Sequence, residues 1–179
     1  MKNRQNIIPL LEAYRPTARR IDGIVIHCSD NLPTSKITVK DIDREHRKNN
    51  WNGVGYHFVI LPDGTIEIGR PLEVMGAHVS GYNDHTIGIC YIGGRNPEAT
   101  GKHDKYADTR TPEQKESLRW LITAIKSYLP GGGSMTLKGH RDYSPDQNRN
   151  GIIERFEFIR DCPCFDVATE YADLLPDLP

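Results

Sequence analysis

Two histidines and a pair of cysteines are the residues of this 179-residue chain best suited to metal chemistry. His27 ends the β-branched run DGIVIHCS, His140 ends the short run SMTLKGH, and Cys162 and Cys164 lie in FIRDCPCFD. Imidazole nitrogens and a thiolate are zinc ligands, and three protein ligands with an open fourth position are typical of a catalytic zinc site. The spacing is not that of a compact zinc finger, so from the residues alone a hydrogen-bonded surface histidine remains an alternative for each. The two cysteines also lack the two-residue spacer of a redox motif.

A second group of candidate metal ligands lies in DQNRNGIIERFE, residues 146–157. The segment matches a calcium-loop pattern, in which side-chain oxygens, one backbone carbonyl and a sharp glycine turn surround the ion. The oxygens would come from Asp146, Asn148, Asn150, Glu157 and the backbone carbonyl of Ile152. Two asparagines in place of aspartates lower the charge of the site and predict a modest calcium affinity. The alternative is a polar insertion whose turn is set by Asn-Gly.

The composition of the chain narrows the classes of function. Lys and Arg number 23 and Asp and Glu 24, for a formal net charge of -1, so we expect no nucleic-acid and no membrane partner. No apolar run approaches the ~20 residues that a membrane span needs. The N-terminal segment MKNRQNIIPLLEAYRPTARR lacks a clear signal peptide, so we expect a protein made in the cytoplasm. We also expect a monomer. In that reducing compartment, clustered cysteines more often indicate metal binding or catalysis than disulfides.

Hydrophobic periodicity and turn residues predict strands alternating with helices. Strands are expected at DGIVIHCS, on both sides of the Pro-Asp-Gly turn of GYHFVILPDGTIEIG, at TIGICYIGG and at SMTLKGH. Helices are expected at TVKDIDREHRKNN, TPEQKESLRWLITAIKSYL and FDVATEYADLL, of which the first two open with capping residues. The sequence therefore predicts a single α/β domain with a mixed central β-sheet flanked by helices, preceded by an N-terminal extension, residues 1–20.

Six segments, in order along the chain, resemble those of phage-lysozyme-type N-acetylmuramoyl-L-alanine amidases, which share a fold with peptidoglycan recognition proteins. They are IVIHCSD, IDREHRKNNWNGVGYHFVILPDGTIEIGR, GAHVSGYNDHTIGICYIGG, TPEQKESLRWLI, GHRDYSP and CPCFDV. The resemblance implies a recognition-protein-like amidase fold, with a zinc amidase domain over residues 21–179. It also implies zinc-dependent hydrolysis of the amide bond between N-acetylmuramic acid and L-alanine in peptidoglycan, and an endolysin-like role in cell-wall lysis.

The resemblance assigns roles to individual residues. His27, His140 and Cys162 would hold the zinc ion, with Cys162 chosen because the family's ligand is the cysteine before the proline. Cys164 then falls on a variable position and is expected to be a bystander. Tyr56 of GYHF matches the family's catalytic tyrosine, whose hydroxyl lies near the reacting water.

Arg160 departs from the family pattern, because the phage lysozymes carry lysine two residues before the ligand cysteine. Arginine can stabilise a developing oxyanion with a fixed charge, but its pKa above ~12 prevents it from donating a proton.

His78 and Asn83 of GAHVSGYN match positions that contact substrate in relatives. His46, on a helix face, matches a structural position and is not expected to be a ligand.

Two other classes of function remain open at this point. Recognition-protein relatives that lost zinc bind peptidoglycan without cutting it, and such a binding module is the main alternative. The chain keeps all three candidate ligands and the tyrosine, which favours an enzyme. The second open class is an interaction protein, because some phage lysozymes also regulate a polymerase through an extended surface, and nothing in this sequence tests that. A glycosidase is not favoured, because it would need two facing carboxylates and the sequence singles out none.

Overall fold

The computed structural model describes residues 3–16, 19–102 and 104–176. The strands are β1 (Gly23–Cys28), β2 (Phe58–Ile60), β3 (Ile66–Ile68), β4 (Thr86–Tyr91) and β5 (Thr136–Gly139). The helices are α1 (Arg4–Ala13), α2 (Val39–Lys48), α3 (Pro112–Tyr128) and the single-turn α4 (Val167–Glu170). Every strand predicted from the sequence is present. No helix in these ranges is long and apolar enough to cross a membrane.

The five strands form one mixed sheet in the order β3-β2-β4-β1-β5. Strand β1 lies parallel to both β4 and β5, and β2 is parallel to β4. Only the edge strand β3 is antiparallel, because it returns from β2 through the Pro-Asp-Gly turn. The predicted α/β fold, a mixed central sheet flanked by helices, is confirmed. In such a sheet the carboxyl ends of neighbouring parallel strands meet at one edge, where ligands bind in open α/β folds.

Successive side chains of each strand point to opposite faces of the sheet, and the two faces differ in what covers them. The main core fills one face, beneath α1 and α3, and includes Ile7, Leu11, Ile24, Ile26, Phe58, Ile87, Ile89, Leu118, Leu121, Ile122 and Ile125. Helix α3 contributes one apolar stripe to this core, formed by Leu118, Leu121, Ile122 and Ile125. On the opposite face, a smaller cluster beneath α2 contains Ile42, Val54, Val59 and Ile92. His27 and Cys90, paired across β1 and β4, point to this second face.

Helices α2 and α3 begin as their sequences predict. Thr111 accepts a hydrogen bond from the Gln114 backbone N–H, and Pro112 occupies the first turn of α3. Thr38 and Asp41 form the corresponding capping box of α2. The predicted C-terminal helix is shorter than expected, because α4 ends at Glu170 and a 3₁₀ turn follows at Ala172–Leu174.

The N-terminal segment contributes to the core instead of extending from it. Helix α1 buries Ile7 and Leu11 completely or nearly so, and both belong to the main core cluster. Arg19 then donates hydrogen bonds to the backbone carbonyls of Leu72, Asn83 and Thr86. Arg19 therefore holds the loop between β3 and β4 in place, and α1 completes one side of the core.

Candidate active site

The sheet places the two candidate histidine ligands side by side. His27 is the fifth residue of β1, and His140 follows the last residue of β5. The pairing of Ile26 with Gly139 in the parallel β1–β5 ladder puts the next residue of each strand at the same level. The two imidazole rings lie 4.7 Å apart between centroids.

Cys162 is brought to the histidines by contacts that fix its segment. The backbone N–H of Arg141, directly after His140, donates to the Cys162 carbonyl over 2.8 Å. The Tyr91 hydroxyl at the end of β4 donates to the Pro163 carbonyl over 2.7 Å. The Cys162 sulfur itself accepts the backbone N–H of Cys28 over 3.1 Å. Burial raises the pKa of the Cys162 thiol, while the hydrogen bond from the Cys28 backbone N–H acts in the opposite direction and favours the thiolate that a metal binds.

The three donor groups fit a zinc ion. One ligand atom each from His27, His140 and Cys162 lies within 4.8 Å of the others. His27 Nδ1 faces the Cys162 sulfur at 3.8 Å, while its Nε2 lies 3.0 Å from Nδ1 of His78. If His27 carries its proton on Nε2 and donates it to His78, its Nδ1 lone pair is free for a metal. Burial lowers the pKa of His27 well below its usual value, which keeps the ring neutral as metal binding requires.

His78 is held by the neighbouring loop. Its backbone N–H and that of Val79 both donate to the Asn83 side-chain oxygen, over 2.7 and 2.9 Å. Gly76 and Gly88 leave room for the ring, since an added Cβ at either would approach it within 2.6 Å. Burial lowers the pKa of His78 to about 3. Its side chain contacts His27 and is only 8% exposed, so substrate contact through this residue stays a prediction.

Tyr56 lies beside His27, with 5.2 Å between the ring centroids, and its ring is 6.5 Å from that of His78. The phenol packs against the cluster beneath α2. Burial, reinforced by the neighbouring thiols, raises its pKa well above the usual value, so the hydroxyl keeps its proton at neutral pH. A neutral hydroxyl can donate a hydrogen bond to a reacting oxygen.

Two further histidines support this arrangement without facing the metal donors. His46 of α2 accepts the Gly55 backbone N–H over 3.0 Å and stacks near Trp51, consistent with the expected structural role. His57 is fully buried: its Nδ1 accepts the Gly88 N–H, and its Nε2 lies 3.1 Å from the Val74 carbonyl. The sequence analysis did not single out His57. Its position between Tyr56 and the first residue of β2 could have indicated that it lies near the site.

An open cavity of about 690 Å³ lies over the donor group. Its lining includes all three donors, Tyr56, His78, Asn83, Trp51 and Arg160. Arg160 is exposed at the rim, and its charge adds to burial in lowering the pKa of His140. A smaller adjoining cavity, of about 210 Å³, is lined by His140, Tyr143 and Arg160 among others. An extended polymer could lie across this surface while one bond reaches the donors.

The segment 146–157 forms a closed loop that ends three residues before Arg160. Glu157 is 1% exposed and accepts backbone N–H groups from Gln147, Asn148 and Glu154. Asp146 accepts the N–H groups of Asn150 and Gly151, and Gly151 adopts a positive φ of 84°. The 3₁₀ turn His140–Tyr143 precedes the loop, and a second 3₁₀ turn, Arg155–Glu157, forms its last three residues. The candidate calcium ligands therefore belong to one loop, in which the carboxylates of Asp146 and Glu157 accept hydrogen bonds from backbone N–H groups.

A comparison with protein families identifies the chain over most of its length. The family described as N-acetylmuramoyl-L-alanine amidase matches residues 17–150. The matched range includes His27, Tyr56 and His140 and ends before Arg160 and Cys162.

Individual relatives extend the match. The chain is 34% identical over 154 residues to an endolysin of Enterobacteria phage T3, covering 86% of this chain and 87% of the relative. It is 34% identical over 146 residues to an endolysin of Escherichia phage T7, covering 82% of each. An endolysin amidase from Clostridium intestinale has a similar structure, with a TM-score of 0.61 and 28% identity over 89% of this chain and 87% of that one. The Drosophila recognition protein PGRP-LB, at 23% identity and a TM-score of 0.60 over 86% of this chain and 81% of that one, shares the fold.

Proposed function

The chain belongs to the N-acetylmuramoyl-L-alanine amidase family, and on that premise we propose that it is a zinc enzyme that cleaves peptidoglycan between N-acetylmuramic acid and L-alanine. The observation that carries the proposal is the convergence of His27, His140 and Cys162 within 4.8 Å beneath an open cavity. The endolysin relatives support lysis of the cell wall as the biological outcome.

The three donors would hold the zinc ion, which supplies Lewis-acid activation of water and of the scissile carbonyl. His78 accepts the His27 Nε2 proton and fixes the tautomer that leaves Nδ1 free. Tyr56 donates its hydroxyl proton in a hydrogen bond that orients the water or the substrate carbonyl. Arg160, which lines the cavity, would stabilise the oxyanion that develops as the carbonyl carbon becomes tetrahedral. Water adds its oxygen to the carbonyl carbon and the C–N bond breaks. The proton that the water loses ends on the amine of L-alanine, which leaves.

The direct test is mass spectrometry of the products that the zinc-loaded protein releases from intact peptidoglycan. We expect stem peptides with a free L-alanine amine, and no such product after treatment with a chelator. Intact glycopeptide, together with sedimentation of the protein with the wall, would instead identify a peptidoglycan-binding module. Products cut within the glycan strand would contradict the amidase assignment.

Arg160 provides a test of the electrostatic role. We expect Arg160→Ala to lower kcat by roughly 10²-fold, because a charge aimed at a developing oxyanion is worth about that much. Arg160→Lys should keep most of the activity, since it keeps the charge. The lysine variant should also gain an alkaline limb in its pH–rate profile near the lysine pKa of about 10.4, whereas the wild type has none from this residue.

A purely structural role for Arg160 would give a different pattern. Arg160→Ala would then lower the melting temperature along with kcat, and Arg160→Lys would show the same pH profile as the wild type. Circular dichroism melting of both variants separates these outcomes from a loss of oxyanion stabilisation.

We also propose that the loop 146–157 binds calcium and thereby orders the approach to Arg160 and Cys162. The support is the full match of the loop to the calcium pattern, with its acceptor oxygens arranged around one turn. Carboxylates that now accept backbone N–H groups in the loop could turn to an ion, as oxygen ligands do in flexible calcium sites. This proposal is independent of the zinc chemistry.

Calcium is expected to raise the melting temperature of the wild type but not that of Glu157→Gln. Glutamine keeps the size of the side chain but removes the charge and the bidentate carboxylate that the last loop position supplies. Because Glu157 is buried and accepts three backbone N–H groups, its replacement should also lower the starting melting temperature. The shift on adding calcium is therefore the measured quantity. Equal shifts in both proteins would remove the calcium proposal.

A further inference from the structure

Cys28 and Cys164 form a close thiol pair beside the candidate zinc site. Their Sγ atoms lie 3.6 Å apart, and neither cysteine is in a disulfide. Cys28 is the last residue of β1 and directly follows His27, while Cys164 lies two residues after Cys162. The pair therefore connects the two segments that carry two of the three metal donors.

The backbone around the pair provides space for both sulfur atoms. Gly94 has a φ of 95°, and a Cβ added there would lie 2.5 Å from the Cys28 sulfur and 3.5 Å from that of Cys164. The Cys164 sulfur also lies 3.6 Å from the Gly94 carbonyl oxygen. Cys164 has a φ of 71°, a region that residues with a side chain seldom adopt, and it directs the thiol toward β1. The two sulfurs therefore share one pocket with no side chain between them.

We propose that Cys28 and Cys164 form a reversible disulfide that covalently joins β1 to the segment carrying Cys162. Cys164 is half-buried and Cys28 is only 8% exposed, so an external disulfide reaches Cys164 first, and the Cys164 sulfur attacks it after losing its proton to water. One external thiol leaves and a mixed disulfide forms on Cys164. The Cys28 thiolate then attacks the Cys164 sulfur, and the second external thiol leaves. Two protein thiols are oxidised to one disulfide, and the external disulfide is reduced to two thiols.

The third nearby thiol, Cys162, is not part of the disulfide. Its sulfur accepts the Cys28 backbone N–H and faces His27, which matches a metal ligand and not a reacting partner. The consequence rests on the proposed function, because peptidoglycan lies in an oxidising compartment where disulfides persist. There the bond would hold the two ligand-bearing segments together.

The test uses the zinc-loaded protein incubated with oxidised glutathione and digested with trypsin without reduction. Cleavage after Arg20, Lys36 and Arg160 places Cys28 in residues 21–36 and the other two thiols in residues 161–179. We expect these peptides to be linked in the wild type and unlinked in Cys164→Ser. The oxidised wild type should melt roughly 5 °C or more above the reduced form, because the bond closes a long loop. Cys164→Ser should show no such shift, and zinc content should stay unchanged in both.

Three outcomes would overturn the inference. Peptides that remain unlinked in the wild type would mean that the pair is only packed. A link that persists in Cys164→Ser would place Cys162 in the bond, as would loss of zinc on oxidation. An oxidised protein that melts no higher than the reduced one would remove the role as a structural cross-link. None of these readouts requires turnover, so a failure here is distinct from a failure of the amidase proposal.

Discussion

Replacing Cys162 with alanine is expected to lower kcat/KM for peptidoglycan hydrolysis by at least about 10³-fold, because a metal ion supplies several kcal/mol of transition-state stabilisation and each 1.36 kcal/mol is tenfold in rate. The substitution removes the one anionic donor of the set, and two neutral histidines alone hold zinc weakly. Zinc content after dialysis should fall in parallel with activity. Both are measured on the same preparation, by elemental analysis and by release of L-alanine amines.

Cys164→Ser is the matched control, since it removes a thiol two residues away on the same segment. In the wild type, the Cys164 sulfur lies 3.6 Å from the Cys28 sulfur and does not belong to the donor group. We expect this variant to keep zinc and activity close to those of the wild type. A loss of activity in Cys164→Ser as large as that in Cys162→Ala would mean that the cysteines act as a pair. Retained zinc and activity in Cys162→Ala would refute the ligand assignment.

The parts of the fold and site that follow local rules could be predicted from the sequence. His27 and His140 each end a predicted strand, and neighbouring parallel strands bring their carboxyl ends to one edge. The capping residues of α2 and α3 fix where those helices begin, because they satisfy backbone groups within a few residues. Periodicity and caps depend only on near neighbours along the chain, so they survive without knowledge of the fold.

Contacts between distant segments could not be predicted in the same way. The link between Cys28 and Cys164 spans 136 residues and depends on Gly94, a third segment, to leave space. The hydrogen bond between His27 and His78 likewise depends on how the loop after β3 folds back over the sheet. Neither produces a periodicity or a spacing in the sequence. The contacts of Arg110 with Glu170 and Phe165 also join distant segments, and they too leave no pattern in the sequence.

Arg110→Ala is expected to cost about 3 kcal/mol of unfolding free energy. The guanidinium is fully buried, bonds Asp108 and Glu170, and lies 3.2 Å above the Phe165 ring. Removing one partner of a buried ion pair typically costs 3–5 kcal/mol. The lower end applies because the two carboxylates are 28% and 32% exposed and can be partly hydrated once the cation is gone. For a domain of this size, the melting temperature should fall by roughly 6–12 °C.

Arg119→Ala is the matched control, because its ion pair with Asp173 is 46% and 64% exposed and should contribute under about 1 kcal/mol. Arg110 also connects the loop before α3 to α4 and to Phe165, three residues after Cys162. Loosening that segment should weaken zinc binding, so zinc affinity in Arg110→Ala should fall while that of Arg119→Ala stays at the wild-type level. Equal melting temperatures in the two variants would contradict a stabilising role for the Arg110 contacts.

A destabilised Arg110→Ala with unchanged zinc affinity would show that these contacts stabilise the fold without positioning Cys162.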